Sequence, residues 1–222
     1  MALGDAGLEE LDPLEVDGHE PSGLGGDDHP MRVMTRRAAG LTGRPWDAGA
    51  RREVAAYFDG LATEWHTRTS PERLAVVVDA LTRGRVETGA VALEVGSGIG
   101  AYSAVLAERF AVVASLEIAV EMLRLAPAGP SHRVLADAVD LPFPDASADA
   151  VVLVNAFLFP AEVDRVLAPA GCVVWVNSSG ASTPIHLRAD EVAEALPGRW
   201  CGVSAQAGVG TWCVLRREGF AP

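Results

Sequence analysis

The strongest constraint on the fold lies between Val91 and Tyr102, where the chain reads V-A-L-E-V-G-S-G-I-G-A-Y. A short apolar run is followed by three closely spaced glycines and then by an amphipathic pattern that predicts a helix from Tyr102 to Phe110. The glycines lack a Cβ and adopt positive φ at little cost, so the backbone can approach a ligand closely. We therefore expect a cradle in which backbone N–H groups at a helix N-terminus face a polar, nucleotide-like ligand.

Apolar runs recur after this stretch and alternate with short helical patterns. Continuous apolar runs are typical of strands that are covered on both faces, as in a parallel sheet between helix layers. Two further strands near the C-terminus are joined by a turn that is short enough only for antiparallel pairing. We predict an α/β, Rossmann-like fold with helices on both faces of a mostly parallel seven-stranded sheet and an antiparallel C-terminal hairpin. Its predicted strands cover residues 91–95, 111–116, 133–136, 150–154, 172–176, 200–207 and 211–217.

The chain before residue 86 divides into two predicted parts. Residues 1–30 contain nine acidic residues, no arginine and no sustained apolar period, which predicts a disordered acidic tail. Residues 31–85 are predicted to form N-terminal lid helices, after an irregular lead-in over 36–45. Residues 86–222 then form the core, and residues 31–222 as a whole are one folded domain.

Helical spacing within this lid region begins at Trp46 or Asp47 and continues to Trp65. A second helix is predicted to start at Ser70 and Pro71, because serine is a favoured N-cap and proline a favoured first residue. It ends at Gly84.

Composition excludes several classes of function. The net charge is −12 and no basic stripe marks a nucleic-acid groove. We find neither an apolar run of the ~20 residues that a bilayer span requires nor a signal peptide, so a cytoplasmic protein is expected. Cys172, Cys201 and Cys213 lie in separate apolar runs and are interpreted as reduced core residues. No Cys/His/Asp cluster has the spacing of metal ligands, so no metal is predicted.

Polar residues follow the predicted strands at their carboxyl ends, where open α/β sheets bind ligands. Glu117 lies about twenty residues beyond the first glycine, at the spacing of a carboxylate that accepts from both hydroxyls of a ribose. Ile118 is positioned to cover one face of a purine. Asp137 and the backbone N–H of Ala138 are positioned to bind an adenine ring. Asn155 follows the fourth strand.

Four stretches together resemble the class I S-adenosylmethionine-dependent methyltransferases, in particular the small-molecule group that includes the type-11 and ubiquinone/menaquinone enzymes. They read L-E-V-G-S-G-I-G, L-E-I-A-V-E-M-L-R-L-A, A-D-A-V-D-L-P-F-P-D-A-S-A-D-A-V-V and V-D-R-V-L-A-P-A-G. Upstream, Y-F-D-G-L-A-T-E-W resembles the lid helix of that group. The resemblance implies S-adenosylmethionine as cofactor, a small-molecule substrate and the product S-adenosylhomocysteine.

The resemblance also implies roles for individual residues. Gly96, Ser97, Gly98 and Gly100 line the methionine and ribose part of the cofactor, and Glu94 orders the turn from beneath. Glu117 binds the ribose, Asp137 and Ala138 hold the adenine, and Asn155 and Ala156 lie near the methionine moiety. Tyr57 and Trp65 close over the cofactor, whereas Tyr102 is either part of the pocket or simple packing. The chain departs from the family in the short segment A-F-L-F-P at 156–160, which shortens one wall of the substrate pocket.

A general base is needed only if the methyl acceptor has a proton to lose. His186, in the loop after the fifth strand, is the first candidate, and His66 is the second. For either histidine, a packed or surface position is the competing interpretation.

Two other functions are also compatible with the sequence. One is a cofactor-binding but non-catalytic protein that acts through a partner or as a homodimer. The other is a nicotinamide-dinucleotide oxidoreductase, since Gly96, Gly98 and Ala101 also satisfy G-x-G-x-x-A.

Overall fold

The structure, a computed structural model, describes residues 29–220. Its helices are α1 (Pro30–Ala38), α2 (Ala48–Leu61), α3 (Pro71–Arg83), α4 (Ser103–Ala107), α5 (Val120–Leu125), α6 (Pro160–Val166) and α7 (Ala189–Ala195). Its strands are β1 (Gly89–Val95), β2 (Phe110–Glu117), β3 (His132–Leu135), β4 (Ala148–Val154), β5 (Leu167–Asn177), β6 (Trp200–Ala207) and β7 (Gly210–Arg217). Two 3₁₀ turns cover Ala62–Arg68 and Gly180–Ser182.

The strands form one seven-stranded sheet in the order β3-β2-β1-β4-β5-β7-β6. The first five strands in the chain are parallel to one another, whereas β7 is antiparallel to both β5 and β6. The predicted fold class is confirmed, including the antiparallel C-terminal hairpin. Strand order reverses between β1 and β4, and crevices at such a reversal are where open α/β sheets bind ligands.

Both faces of the sheet are buried beneath helices. On one face, Leu153 and Trp175 pack with Val163 of α6 and Val192 of α7. The opposite face carries a second cluster, in which strand residues pack against α3 and α4. Burial on both faces explains why the strands have continuous apolar runs.

The region before β1 differs most from expectation. The sequence predicts an irregular lead-in from 36 to 45, but α1 continues to Ala38 because Met31, Met34 and Ala38 form one buried face of this helix. Trp65 lies on the 3₁₀ turn and not on α2. The predicted acidic tail lies, except for its last two residues, outside the described residues, and the division into tail, lid and core stays a prediction.

Local capping agrees with the sequence where the signals are strong. The Ser70 hydroxyl accepts from the backbone N–H of Arg73 at 3.3 Å, Pro71 begins α3, and Gly84 ends it. The helix predicted up to Phe110 is shorter, since Phe110 already pairs with Gly89 as the first residue of β2. Within residues 29–220, the helices are too short or too polar to cross a bilayer.

Candidate functional site

A cavity opens where β1, β2 and β4 end, directly at the reversal of strand order. Loops that follow these strands form one side, and α2, the first 3₁₀ turn and the start of α3 form a roof. The cavity is lined by Trp46, Val54, Phe58, Trp65, Arg68, Thr69, Arg73, Val95, Gly96, Ser97, Gly98, Ala101, Tyr102, Leu116, Glu117, Ile118, Met122, Ala136, Asp137, Ala138, Val154, Asn155, Ala156, Phe157, Phe159 and Ile185.

The glycine loop after β1 requires glycine for two separate reasons. Gly96, Gly98 and Gly100 have φ values of 70°, 56° and 73°, in the left-handed region that other residues rarely adopt. A Cβ on Gly96 would also lie 2.7 Å from the Cβ of Ala156, and one on Gly98 would lie 3.1 Å from Nε1 of Trp65. The loop is therefore tightly enclosed between β4 and the lid. Gly100 does not line the cavity.

The expectation that N–H groups of this loop face a ligand is not met at Gly96, Ser97 and Gly98, whose N–H groups have partners within the protein. The N–H groups of Gly96 and Ser97 both donate to the carbonyl oxygen of Leu116 at 2.9 Å. Gly98 donates to Oε2 of Glu117 at 2.8 Å. The loop instead offers Ser97 Oγ, which is buried without a hydrogen-bond partner.

Glu117 joins the end of β2 to the glycine loop. Its Oε1 accepts from the N–H groups of Ile118 and Ala119 at 2.8 and 2.9 Å, while Oε2 accepts from Gly98. Burial raises the pKa of this carboxyl, the three backbone hydrogen bonds act in the opposite direction, and nearby Asp59 adds to the increase. Because each carboxylate oxygen accepts two bonds, Oε2 keeps one acceptor site for a ligand.

Glu94 lies beneath the loop and does not line the cavity. Its Oε2 accepts from the hydroxyls of Ser103 and Ser115 at 2.5 and 2.7 Å, and its buried Oε1 has no partner. Burial raises its pKa to about 7, against the effect of the two serine hydrogen bonds. This placement matches a residue that orders the turn and does not touch a ligand.

Asp137, Ala138 and Ile118 all line the cavity beside Glu117. The Asp137 carboxylate accepts from the N–H of Val139 at 3.2 Å and lies 3.6 Å from Nε of Arg51 on α2. The predicted adenine-binding set is thus brought together at one end of the cavity, and an arginine from the lid reaches it.

Asn155 occupies the opposite end, directly after β4. Its φ is 49°, an uncommon value for a residue other than glycine, and such outliers cluster at functional sites. The side chain is held by Ser178, whose N–H donates to Oδ1 and whose Oγ accepts from Nδ2, each at 2.8 Å. Asn155 is therefore a rigid part of the cavity wall.

Of the two residues predicted to close over the cavity, only Trp65 lines it. Tyr57 is 43% exposed and does not line the cavity, whereas the Trp65 indole lies directly over Gly98. Tyr102, which the sequence leaves undecided, lines the cavity. Arg73 lines it too and was not predicted, although its place in the first turn after Ser70–Pro71 is a local signal that could have indicated it.

Neither histidine predicted as a base lines the cavity. His186 is buried, with Nδ1 3.5 Å from Nη1 of Arg32. Arg32 also donates to the carbonyl oxygens of Ala181 and Thr183, so it fixes the loop on which His186 lies. His66 is exposed, and its Nδ1 lies 3.1 Å from the carbonyl oxygen of Thr63. Within residues 29–220, His, Cys, Asp and Glu side chains form no group of three that could hold a metal.

An aromatic wall on the lid side of the cavity was not predicted from the sequence. Phe157 and Phe159, from the short segment after β4, pack against Trp46 with ring centroids 5.8 and 5.0 Å apart. The short segment at 156–160 therefore contributes two aromatic side chains to the cavity wall. Its alternating phenylalanines are the only local sign of this role.

Comparison with known proteins assigns the class. Residues 93–174 match a protein-family model described as "Methyltransferase domain" (Methyltransf_11). Among solved structures, the DhpI–SAH complex is similar, with a TM-score of 0.64 and 19% identity over 78% of this chain and 100% of that one. A SAM-dependent methyltransferase from Aquifex aeolicus has a TM-score of 0.58 and 18% identity, over 69% and 96% of the two chains. No curated protein sequence matches the chain.

The fold is that of the class I methyltransferases. The chain contains an S-adenosylmethionine-dependent methyltransferase domain, and S-adenosylmethionine is its cofactor. The cavity fits this ligand, because Gly96 and Gly98 leave a cradle that side chains would fill and because Ser97 Oγ is a buried polar atom without a partner.

Proposed function

We propose that the protein transfers a methyl group from S-adenosylmethionine to a small organic acceptor bound beneath the lid helices. The observation that carries this proposal is the division of one cavity into a polar side at the strand ends and an apolar aromatic side under the lid. A roof over the cavity favours a small acceptor. The net charge of −12 disfavours a nucleic-acid substrate.

In this proposal the adenosine part of the cofactor lies along the ends of β2 and β3. Glu117 accepts from the ribose through the free site on Oε2, and Asp137 and Ala138 hold the adenine against Ile118. These residues all line the same end of the cavity, which supports the assignment.

The methionine part lies over the glycine loop in the same proposal. Ser97 Oγ and Asn155 bind its polar atoms, and Trp65 covers it from the lid. Arg73 lines this end near Tyr102 and balances the charge of the methionine carboxylate.

When bound, the cofactor supplies a methyl group on a positively charged sulfur. The task of the protein is then to align the acceptor and to exclude water, which the roof and the aromatic wall do. The ionisable side chains that line the cavity in the described part of the chain are Arg68, Arg73, Tyr102, Glu117 and Asp137. Since the two carboxylates among them, Glu117 and Asp137, are assigned to the adenosine in this proposal, we infer that the acceptor atom arrives with an available lone pair, as in a neutral amine or a ring nitrogen.

The cellular compartment is also part of the proposal. All three cysteines are free, and two of them are buried in the core. Free cysteines are typical of a reducing compartment, which supports a place in the cytoplasm.

Two experiments test this function. Isothermal titration calorimetry should detect binding of S-adenosylhomocysteine and none of NADH, and the reverse result would contradict the cofactor assignment. S-adenosylmethionine with a labelled methyl group, incubated with protein and a metabolite extract, should then give a labelled small molecule. Binding of S-adenosylhomocysteine without any labelled product would favour the non-catalytic alternative.

A further inference from the structure

A second cavity lies beside the first, between the segment that follows α1 and the start of α6. Thr42, Val139 and Pro160 are among its lining residues. Trp46 and Phe159 line both cavities, so their rings form the partition between the two. Nothing in the cofactor assignment uses this partition or the space behind it.

The partition belongs to an apolar aromatic wall. Trp46 meets Phe159 edge to face, with an interplanar angle of 81°, and Phe157 at 51°. Phe58 on α2 lies 6.4 Å from Phe157, also near edge to face. Aromatic rings prefer such tilted arrangements to a face-to-face stack, and a further flat ring can join them in the same way. The wall consists of Trp46, Val54, Phe58, Phe157, Phe159 and Ile185, none of which is charged.

Two polar groups at the partition lack partners. Nε1 of Trp46 and Oγ1 of Thr42 are both buried without a hydrogen bond. Buried donors in proteins almost always have a partner, and leaving one unsatisfied is costly. An acceptor atom on a ligand at the partition would satisfy the Trp46 N–H.

We propose that this wall is the methyl-acceptor site and that it takes an uncharged, planar aromatic molecule in which a ring nitrogen or carbonyl oxygen, distinct from the atom that is methylated, accepts from Nε1 of Trp46. The inference rests on the proposed function, because the cofactor supplies the methyl group from the adjoining strand side. A charged ring would lose its hydration against this wall, and the arginines that line the same cavity, Arg68 and Arg73, come from the first 3₁₀ turn and α3 and not from the wall, so the site selects against it. A flat ring packs on the tilted phenylalanines better than a bulky aliphatic one.

The test uses three matched probes in calorimetric titrations of the full chain saturated with S-adenosylhomocysteine. Quinoline is flat, neutral and carries a ring nitrogen; naphthalene has the same shape without it; 2-naphthoate adds a negative charge. We expect quinoline to bind about tenfold more tightly than naphthalene, which corresponds to one hydrogen bond in a buried site, and 2-naphthoate to bind least. In Trp46→Phe, quinoline should fall to the affinity of naphthalene.

Trp200→Phe is the matched control, because Trp200 lies on β6 at the far edge of the sheet and already donates to the carbonyl oxygen of Pro197. It should leave all three affinities unchanged. If Trp46→Phe does not fold, Phe159→Leu should weaken quinoline and naphthalene equally. The proposal is overturned if 2-naphthoate binds as well as quinoline, or if quinoline fails to bind while S-adenosylhomocysteine binds. Loss of S-adenosylhomocysteine binding in the wild-type protein would instead overturn the proposed function.

Discussion

The strand side and the lid side of the cavity are built by different forces. On the strand side, backbone hydrogen bonds hold the loops, as in the pair from Gly96 and Ser97 to Leu116 and the three that Glu117 accepts. On the lid side, rings pack against one another and Trp46 keeps an unpaired N–H. Hydrogen-bond geometry tolerates little change, whereas apolar packing adapts to substitutions of similar volume. We therefore expect the strand side, which binds the cofactor in our proposal, to be rigid, and the lid side to tolerate substitutions of similar volume.

The largest effect is expected for Gly96→Ala, a substitution in the glycine loop on the strand side of the cavity. The new Cβ combines a strained positive φ with a 2.7 Å approach to Ala156, so the free energy of unfolding should fall by about 2–5 kcal/mol. Urea denaturation measures this loss of unfolding free energy. Gly208→Ala is the control, since Gly208 has a φ of 58° but nothing within 4 Å of the added Cβ, and it should cost only about 1–2 kcal/mol. Equal losses would show that the loop is not tightly enclosed.

The second-largest effect is expected in the pH dependence of the free energy of unfolding, through Glu94. Burial raises the pKa of Glu94 from 4.5 to about 7, so the folded protein keeps this proton at pH values where the unfolded chain has lost it. Its contribution to stability is complete below about pH 4.5 and is lost as the pH rises to about 7. Relative to Glu94→Gln, the free energy of unfolding of the wild type should fall by about 3 kcal/mol across this range. A difference that is independent of pH would contradict the prediction.

Glu117→Gln separates ligand binding from stability on the same side. With its NH₂ group in the place of Oε2, the new amide would meet the N–H of Gly98 and remove the acceptor offered to a ribose. In the other orientation the NH₂ group would meet the N–H groups of Ile118 and Ala119. We expect affinity for S-adenosylhomocysteine to fall about 10- to 100-fold by calorimetry. Glu121→Gln, at an exposed ion pair with Arg124, should leave that affinity unchanged. The ribose assignment fails if the two variants bind alike.

Asp59→Ala tests how the lid is attached. Asp59 on α2 accepts from the N–H of Glu121 at 2.8 Å and so caps α5, whose own N-cap Ala119 makes no side-chain bond. Its loss should lower the free energy of unfolding by about 1 kcal/mol, as for a lost N-cap. Hydrogen exchange should also become faster in α2. Glu53→Ala, exposed on the same helix, is the control, and no difference between the two would mean that this bond does not hold the lid.

The smallest effect is expected for His66→Gln. His66 is exposed and does not line the cavity, so the rate of labelled methyl transfer should stay within about twofold of the wild type, with an unchanged pH profile. A large loss of rate without loss of S-adenosylhomocysteine affinity would restore His66 as a base.

Most residues on the strand side could be predicted because of the topology of the sheet. Residues that directly follow apolar strands of a parallel sheet must meet at one edge, so Glu117, Asp137 and Asn155 could be grouped from their order alone. Hydrogen bonding within the loop was not predictable, since the N–H groups of Gly96 and Ser97 turn to a carbonyl on the neighbouring strand. The predicted roles of these residues toward the cofactor remain predictions.

The lid side resisted prediction because its contacts join distant parts of the chain. Trp46 and Phe157 come from different elements, and neither has a local pattern that indicates the other. His186 was a candidate base because it lies in the loop after the fifth strand. In the structure it lies against Arg32 of α1, a helix that was not predicted from the sequence.

The amino-acid sequence by itself determined the order of strands and helices from α2 onward, the caps of α3 and the set of polar residues at the strand ends. These depend on short-range periodicity, on capping and on the rule that parallel strands end at one edge. Only the tertiary structure decided which other side chains face the cavity, because Arg73 and the aromatic wall reach it through packing between elements far apart in the chain. Such packing depends on shape and burial, which local patterns do not encode.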